Sequence, residues 1–211
     1  MIGIIDYGLG NAYSVQSAFS DIGVKSILLD VPNLLPVEIQ GLVIPGVGNF
    51  GEGIVKLKKS GWFNFLKDNG TDGVPILGIC LGMHMLFSSS EESPLDRGLD
   101  LISAEVTKLP QGQIRIPNMG WRTLDNCSHS VLLKGLTNER FYHVHSYGVT
   151  DIGKKGDTKL KINNSEIIVS IRRGNVFGVQ FHPEKSLKQG LVLLSNFYTY
   201  CNNEDNSNIT D

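Results

Sequence analysis

The sequence predicts an α/β fold: an open, mostly parallel, twisted sheet with helices on both faces and additional antiparallel strands. Three observations predict it. Strand and helix patterns alternate through the first half of the chain, as parallel strands joined by crossover helices require. Strand signals crowd the second half, where helical patterning is scarce. Glycine turns fall where strands end, at the edge where an open parallel sheet gathers its ligands. At 211 residues the chain fits one domain, 1–201, followed by a polar tail, 202–211.

The elements follow in order. Residues 2–5 are an apolar strand, and 12–22 a helix whose apolar face is Val15, Ala18, Phe19 and Ile22. Residues 26–29 and 41–44 give two more strands. A helix is expected over 53–69, with Lys56, Lys58 and Lys59 on its solvated face. Residues 74–79 form a fourth buried strand, and 83–87 read as a helix. Strands are then expected over 106–109, 141–149, 159–162, 167–171 and 176–180, and a last helix over 190–200.

Composition excludes several function classes. The net charge is −2 with both signs mixed, so neither nucleic acid nor a membrane surface is an expected partner. Cys80, Cys127 and Cys201 are odd in number and far apart, which is not a disulfide framework. The chain opens on a strand, without the basic segment and cleavage site of a signal peptide. No apolar run approaches membrane-spanning length. The expected compartment is the cytoplasm, where the sequons at Asn163 and Asn208 are accidental.

Gly78-Ile79-Cys80-Leu81-Gly82 carries the chemistry. A strand that turns into a helix through Gly-x-nucleophile-x-Gly is a nucleophile elbow, here with cysteine as the nucleophile. A lone buried cysteine is ordinarily a small core residue; one at a strand–helix junction between two glycines is not ordinary. The turn also exposes the Leu81 N–H beside the sulfur. Far downstream stands Phe181-His182-Pro183-Glu184. Pro183 favours extended geometry for His182, which aims His182 and Glu184 to one side. The three side chains are then nucleophile, base and orienter.

Two turns accompany them. Gly8-Leu9-Gly10-Asn11 follows the first strand, but Tyr13 stands where a dinucleotide fingerprint needs its third glycine. Pro45-Gly46-Val47-Gly48 follows the third strand, where glycines let the backbone approach a ligand. The N–H groups of Val47 and Leu81 are the candidate oxyanion hole.

The Cys80 and His182 motifs together resemble those of a class I (triad) glutamine amidotransferase, and the resemblance implies a flavodoxin-like sheet. Within that class, Asp6–Asn11, Pro45–Gly48, Pro117-Asn118-Met119-Gly120-Trp121 and Val144-His145-Ser146-Tyr147 resemble the glutaminase subunits of imidazole glycerol phosphate synthases, from Ile2 to about Tyr200. The resemblance implies hydrolysis of L-glutamine through a Cys80 thioester, with His182 and Glu184 completing the triad. It implies no cofactor and no metal. Glutamine would be held by Gly46, Gly48, His84, His145, Ser146 and Tyr147. A (β/α)8-barrel cyclase would be the partner in a heterodimer, docked near Asn11, Pro117, Met119 and Trp121, and would receive the ammonia through a tunnel.

Three positions depart from the family pattern. His84 stands where Gln is usual, Asn118 where His is usual, and His143 where an aromatic or apolar residue is usual. His143 and His145 lack a convincingly placed third ligand, so they read as satisfied strand histidines. Two other assignments stay open: a paralogue that supplies ammonia for amidino sugars, and a docking subunit without glutaminase activity. A cysteine peptidase or deglycase on a related fold lacks the Pro-x-Met-Gly-Trp motif.

Overall fold

The computed structural model describes residues 1–32, 35–70, 73–124, 130–150 and 156–203. Five strands make its parallel half: β1 (Ile2–Ile5), β2 (Ser26–Leu29), β3 (Gly41–Ile44), β4 (Ile76–Ile79) and β12 (Val176–Val179), in the order β2-β1-β3-β4-β12. The sheet continues through β11 (Ser165–Arg173), β9 (Tyr147–Thr150), β6 (Ile102–Lys108) and β5 (Phe87–Ser90), with β10 (Thr158–Ile162) paired to β11. From β12 through β11 and β9 to β6 the pairing is antiparallel. Strands β7 (Asn118–Leu124) and β8 (Glu139–His145) form a separate antiparallel ribbon.

Strands β1, β3, β4 and β12 are buried on both faces, while the edge strand β2 is partly exposed, and the residues of the buried strands alternate between two cores. Val43, Leu77, Ile79, Phe177 and Val179 face one, where α1 (Ala12–Asp21) and α5 (Leu187–Asn202) bring Val15, Phe19, Leu193 and Phe197. Leu42, Ile44, Ile76 and Val176 face the other, covered by α2 (Phe50–Lys59), α3 (Trp62–Asn69) and α4 (Leu81–Leu86) through Phe50, Ile54, Trp62 and Leu81. Helices on both faces are therefore present, as expected.

Several boundaries differ from the sequence reading. The helix expected over 53–69 is two helices, because Gly61 adopts φ +85° between them. The helix after the elbow stops at Leu86, and Phe87 opens β5. The strand expected over 141–149 breaks at Ser146, so that β8 pairs with β7 while β9 joins the large sheet. Most of the 117–121 motif belongs to β7. The last helix is longer than expected. Cys80 and Cys201 are free thiols, whereas Cys127 and the tail from 204 onward lie outside the described residues.

Register delivers the site. β4 and β12 are adjacent and parallel, with Gly78 opposite Gly178 and Ile79 opposite Val179. The Cys80 N–H donates to the Val179 carbonyl at 2.8 Å. Residues just past both strands, Cys80 on one and Gln180 to His182 on the other, must therefore meet at one rim.

Candidate active site

Cys80 sits at φ 53° and ψ −106°, between β4 and the first residue of α4. A non-glycine residue at positive φ costs energy and marks a functional turn. The flanking glycines permit it. A Cβ on Gly82 would lie 1.8 Å from the Ile44 carbonyl oxygen, and one on Gly78 would lie 2.7 Å from the Gly82 backbone. No side chain fits at either position. Cys80 is 6% exposed, so the thiol is near the surface of the cleft but not displayed to bulk water.

His182 stands three residues past β12, in extended conformation at φ −103° and ψ 96°. Its own N–H donates to Tyr142 O at 2.9 Å, and its carbonyl accepts from Ser186 Oγ at 2.6 Å. Residues Pro183–Lys185 then form a 3-10 turn, so Glu184 comes back to the imidazole by a tight turn and not along an extended strand. The result is the expected pair: His182 Nδ1–H donates to Glu184 Oε1 at 2.7 Å, with both side chains fully buried. That bond fixes the tautomer and leaves Nε2, which has no other hydrogen-bond partner among the described residues, for the sulfur. Burial by itself lowers the proton affinity of His182. The sulfur of Cys80 and the carboxylate of Glu184 outweigh it and raise the pKa to about 9. At neutral pH the ring is thus an imidazolium, ready to give a proton to a leaving group.

Around Cys80 lies a cleft of about 270 Å³. Val47, Gly48, Leu81, His84, Pro117 and the run Val144, His145, Ser146 and Tyr147 line it. Five of the six expected glutamine contacts line this cleft. Gly46 does not; it is packed beneath, where an added Cβ would meet Tyr7 Oη at 2.6 Å and Leu81 Cβ at 2.9 Å.

The two oxyanion donors differ. The Val47 N–H faces no hydrogen-bond acceptor among the described residues, whereas the Leu81 N–H donates to the Gly46 carbonyl at 3.4 Å. That contact is long and weak, yet it turns the donor away from the cleft.

His84 and Gln180 form a buried link to the nucleophile. His84 Nε2–H donates to Gln180 Oε1 at 2.7 Å, and Gln180 Nε2 approaches Cys80 Sγ at 3.9 Å. Burial lowers the His84 pKa to about 4 against the opposing hydrogen bond, so the ring is neutral. His145 is neutral too: burial, with lesser contributions from His84, His182 and Arg122, lowers its pKa to about 3 although the Tyr147 carbonyl accepts its Nδ1–H at 2.8 Å. Asn118 donates to His145 Nε2 at 2.9 Å and accepts from Arg122 Nε at 2.8 Å. His143, fully buried behind it, is held neutral chiefly by burial. Neither histidine serves as an acid or base here, and no metal-binding cluster of three or more His, Cys, Asp or Glu occurs among the described residues.

Two residues escaped the sequence reading. Glu92 lines the cleft, where its Oε2 accepts from the Phe50 N–H at 2.7 Å; it lies in a turn with no motif of its own. Gln180 precedes the His182 motif and reads there as one more strand residue. At the outer rim Met119 is 57% exposed, and Trp121 packs edge-on against Tyr142. Asn11 instead sends its side-chain amide to Glu184 Oε1.

Comparison with known proteins agrees with this geometry. Residues 3–201 match the family model described as glutamine amidotransferase class-I. The chain is 42% identical over 197 residues to the imidazole glycerol phosphate synthase subunit HisH of Moorella thermoacetica, covering 93% of each chain. It is 42% identical over 197 residues to the subunit of the same name from Methanothermobacter thermautotrophicus, covering 93% of this chain and 97% of that one. Among solved structures, a glutamine amidotransferase superposes with a TM-score of 0.74 at 18% identity, covering 95% of this chain and 98% of that one. PurLQS from Thermotoga maritima superposes at 0.68 and 18% identity, covering 94% and 97%. At such identities the superpositions speak for the fold alone. No described helix is long and apolar enough to cross a membrane.

Proposed function

The chain belongs to the class-I glutamine amidotransferase family, and from that premise we propose that it is the glutaminase subunit of an imidazole glycerol phosphate synthase. The observation that carries the proposal is the elbow cysteine opening into a cleft beside a fully buried His182–Glu184 pair. Relatives of nearly equal length that bear the subunit's name support the particular synthase.

The mechanism follows from the groups in place. The Cys80 thiolate attacks the side-chain carboxamide carbon of glutamine. The oxyanion that forms takes the Val47 and Leu81 N–H groups once the 46–47 peptide, which carries both the Gly46 carbonyl and the Val47 N–H, rotates. His182 gives its proton to the departing ammonia, and a γ-glutamyl thioester remains. Neutral His182 then takes a proton from water, which attacks the thioester and releases glutamate. Glu184 keeps Nε2 directed at the reacting atoms throughout. The ammonia passes to a (β/α)8-barrel cyclase docked on the rim that carries Asn11, Pro117, Met119 and Trp121, for formation of imidazole glycerol phosphate and an aminoimidazole carboxamide ribonucleotide. Delivery without contact with bulk water keeps it unprotonated and nucleophilic. The test is a paired assay: glutamate release by this chain, and glutamine-dependent cyclase turnover when the barrel subunit is added.

Two substitutions examine the substrate contacts. Glu92 is the acidic group of the cleft and faces the α-ammonium of glutamine in this reading. Glu92→Gln should raise the glutamine KM about 10- to 100-fold, the range of a hydrogen bond to a charged group, with kcat little changed. An unaltered KM would remove Glu92 from the substrate site. His84→Gln should lower KM about 2- to 10-fold by restoring the family's amide donor. A KM that stays the same or rises would show the neutral imidazole to be an adequate replacement.

A further inference from the structure

We infer that Asn11 is a positioning residue of the triad, whose side-chain amide holds the Glu184 carboxylate in the rotation that His182 requires. The inference rests on the glutaminase reading above and extends it to a fourth residue.

Asn11 occupies the N-cap of α1, a position where asparagine is favoured because its side-chain oxygen accepts a backbone N–H of the first turn. Here it makes no such bond. Only its backbone carbonyl is used, accepting from the N–H groups of Ser14 and Val15. The side chain turns away from its own helix and donates through Nδ2 to Glu184 Oε1, on a segment 173 positions away. A local rule broken in this way points to a use elsewhere.

Glu184 Oε1 thus receives two donors, Asn11 Nδ2–H and His182 Nδ1–H. The other oxygen, Oε2, is buried and has no hydrogen-bond partner among the described residues. The last torsion of a glutamate side chain is broad, with no strong intrinsic preference. One donor therefore does not fix the plane of the carboxylate; a second, anchored on the main chain at the start of a helix, does. The anchor is itself constrained. Gly10 lies so close to the oxyanion turn that an added Cβ would stand 2.9 Å from the Gly46 Cα. A charged carboxylate with no exposed side-chain surface also needs such donors to remain charged. Asn11 does not line the glutamine cleft, so its loss acts on kcat and not on substrate affinity.

Asn11→Asp separates this role from a structural one. Aspartate has nearly the same shape and caps a helix equally well, but it offers no donor to Glu184. In the complex with the barrel subunit, Asn11→Asp and Asn11→Ala should each lower glutaminase kcat about 10- to 100-fold with KM within about twofold. In a Glu184→Ala background, Asn11→Ala should then add less than about twofold. Wild-type kcat in Asn11→Asp, losses that multiply in the double variant, or a loss confined to complex affinity or to KM would each overturn the inference. If Asn11→Ala does not fold, the nearly isosteric Asn11→Asp decides. If the unmodified chain shows no glutaminase activity, the reading above fails, and imidazole NMR of His182 judges Asn11 separately. Its titration, near pH 9 unmodified, should move down in both Asn11→Ala and Glu184→Ala; a midpoint that ignores Asn11→Ala would overturn the inference.

Discussion

Cys80→Ala should abolish glutamine hydrolysis while sparing ammonia-driven synthesis by the barrel partner. Removing a covalent nucleophile from a triad costs about four to six orders of magnitude in kcat, and the partner residues cannot compensate because each acts through the bond the nucleophile makes. Alanine at position 80 removes only Sγ. Its backbone N–H still donates to Val179 O, and its carbonyl still accepts from the His84 N–H at 3.0 Å. The elbow and the rim therefore persist, and the docking face with them. Saturating ammonia supplied from solution should support cyclase turnover in the variant complex at the rate of the unsubstituted complex. Residual glutaminase above about one part in a thousand would dismiss Cys80 as nucleophile. Loss of the ammonia-driven reaction would show that the cysteine also shapes the interface.

The isolated chain should be nearly silent, and the barrel subunit with its ligand should raise glutaminase turnover about 100- to 1000-fold. The reason is the Leu81 N–H, which faces the Gly46 carbonyl at 3.4 Å and not the cleft. A single missing oxyanion donor costs about 10²- to 10³-fold in kcat. The triad pair is already formed, with His182 Nδ1 2.7 Å from Glu184 Oε1, so activation need not assemble it. What must change is one peptide orientation in the 45–48 turn. Gly46, whose ψ turns that peptide, supplies the backbone freedom for the change. Steady-state turnover with and without the partner measures the ratio, which should appear in kcat. High turnover of the chain alone would contradict a gated donor, and activation seen in KM alone would place the change at the substrate contacts instead.

Much of this was legible in the residues. The runs 2–5, 41–44 and 76–79 are apolar throughout, as strands buried on both faces must be, and all three are strands. Two glycines around Cys80 announce a turn that no side chain but hydrogen survives. His182 and Glu184 were found because their spacing carries chemistry, although the geometry that joins them is a 3-10 turn. The rest was hidden for physical reasons. Phe87 reads as the end of a helix because its apolar character fits either period, and only pairing with Ile102 makes it a strand. The ribbon strand 118–124 carries a buried Asn118 and a partly buried Arg122, polar side chains that blur the alternation by which a strand is read. The split at Gly61 and the bond from Asn11 to Glu184 depend on backbone angles and on contacts between distant segments.

One measurement bears most directly on the claim that Cys80 is the nucleophile of a glutamine amidotransferase. The chain, held in complex with its barrel partner, is mixed with glutamine, quenched in acid during turnover and digested for mass spectrometry. The account predicts a single γ-glutamyl adduct on the peptide that contains Cys80, absent when glutamine is omitted. Steady hydrolysis of glutamine with that peptide unmodified, or the adduct found on Cys201, would contradict it.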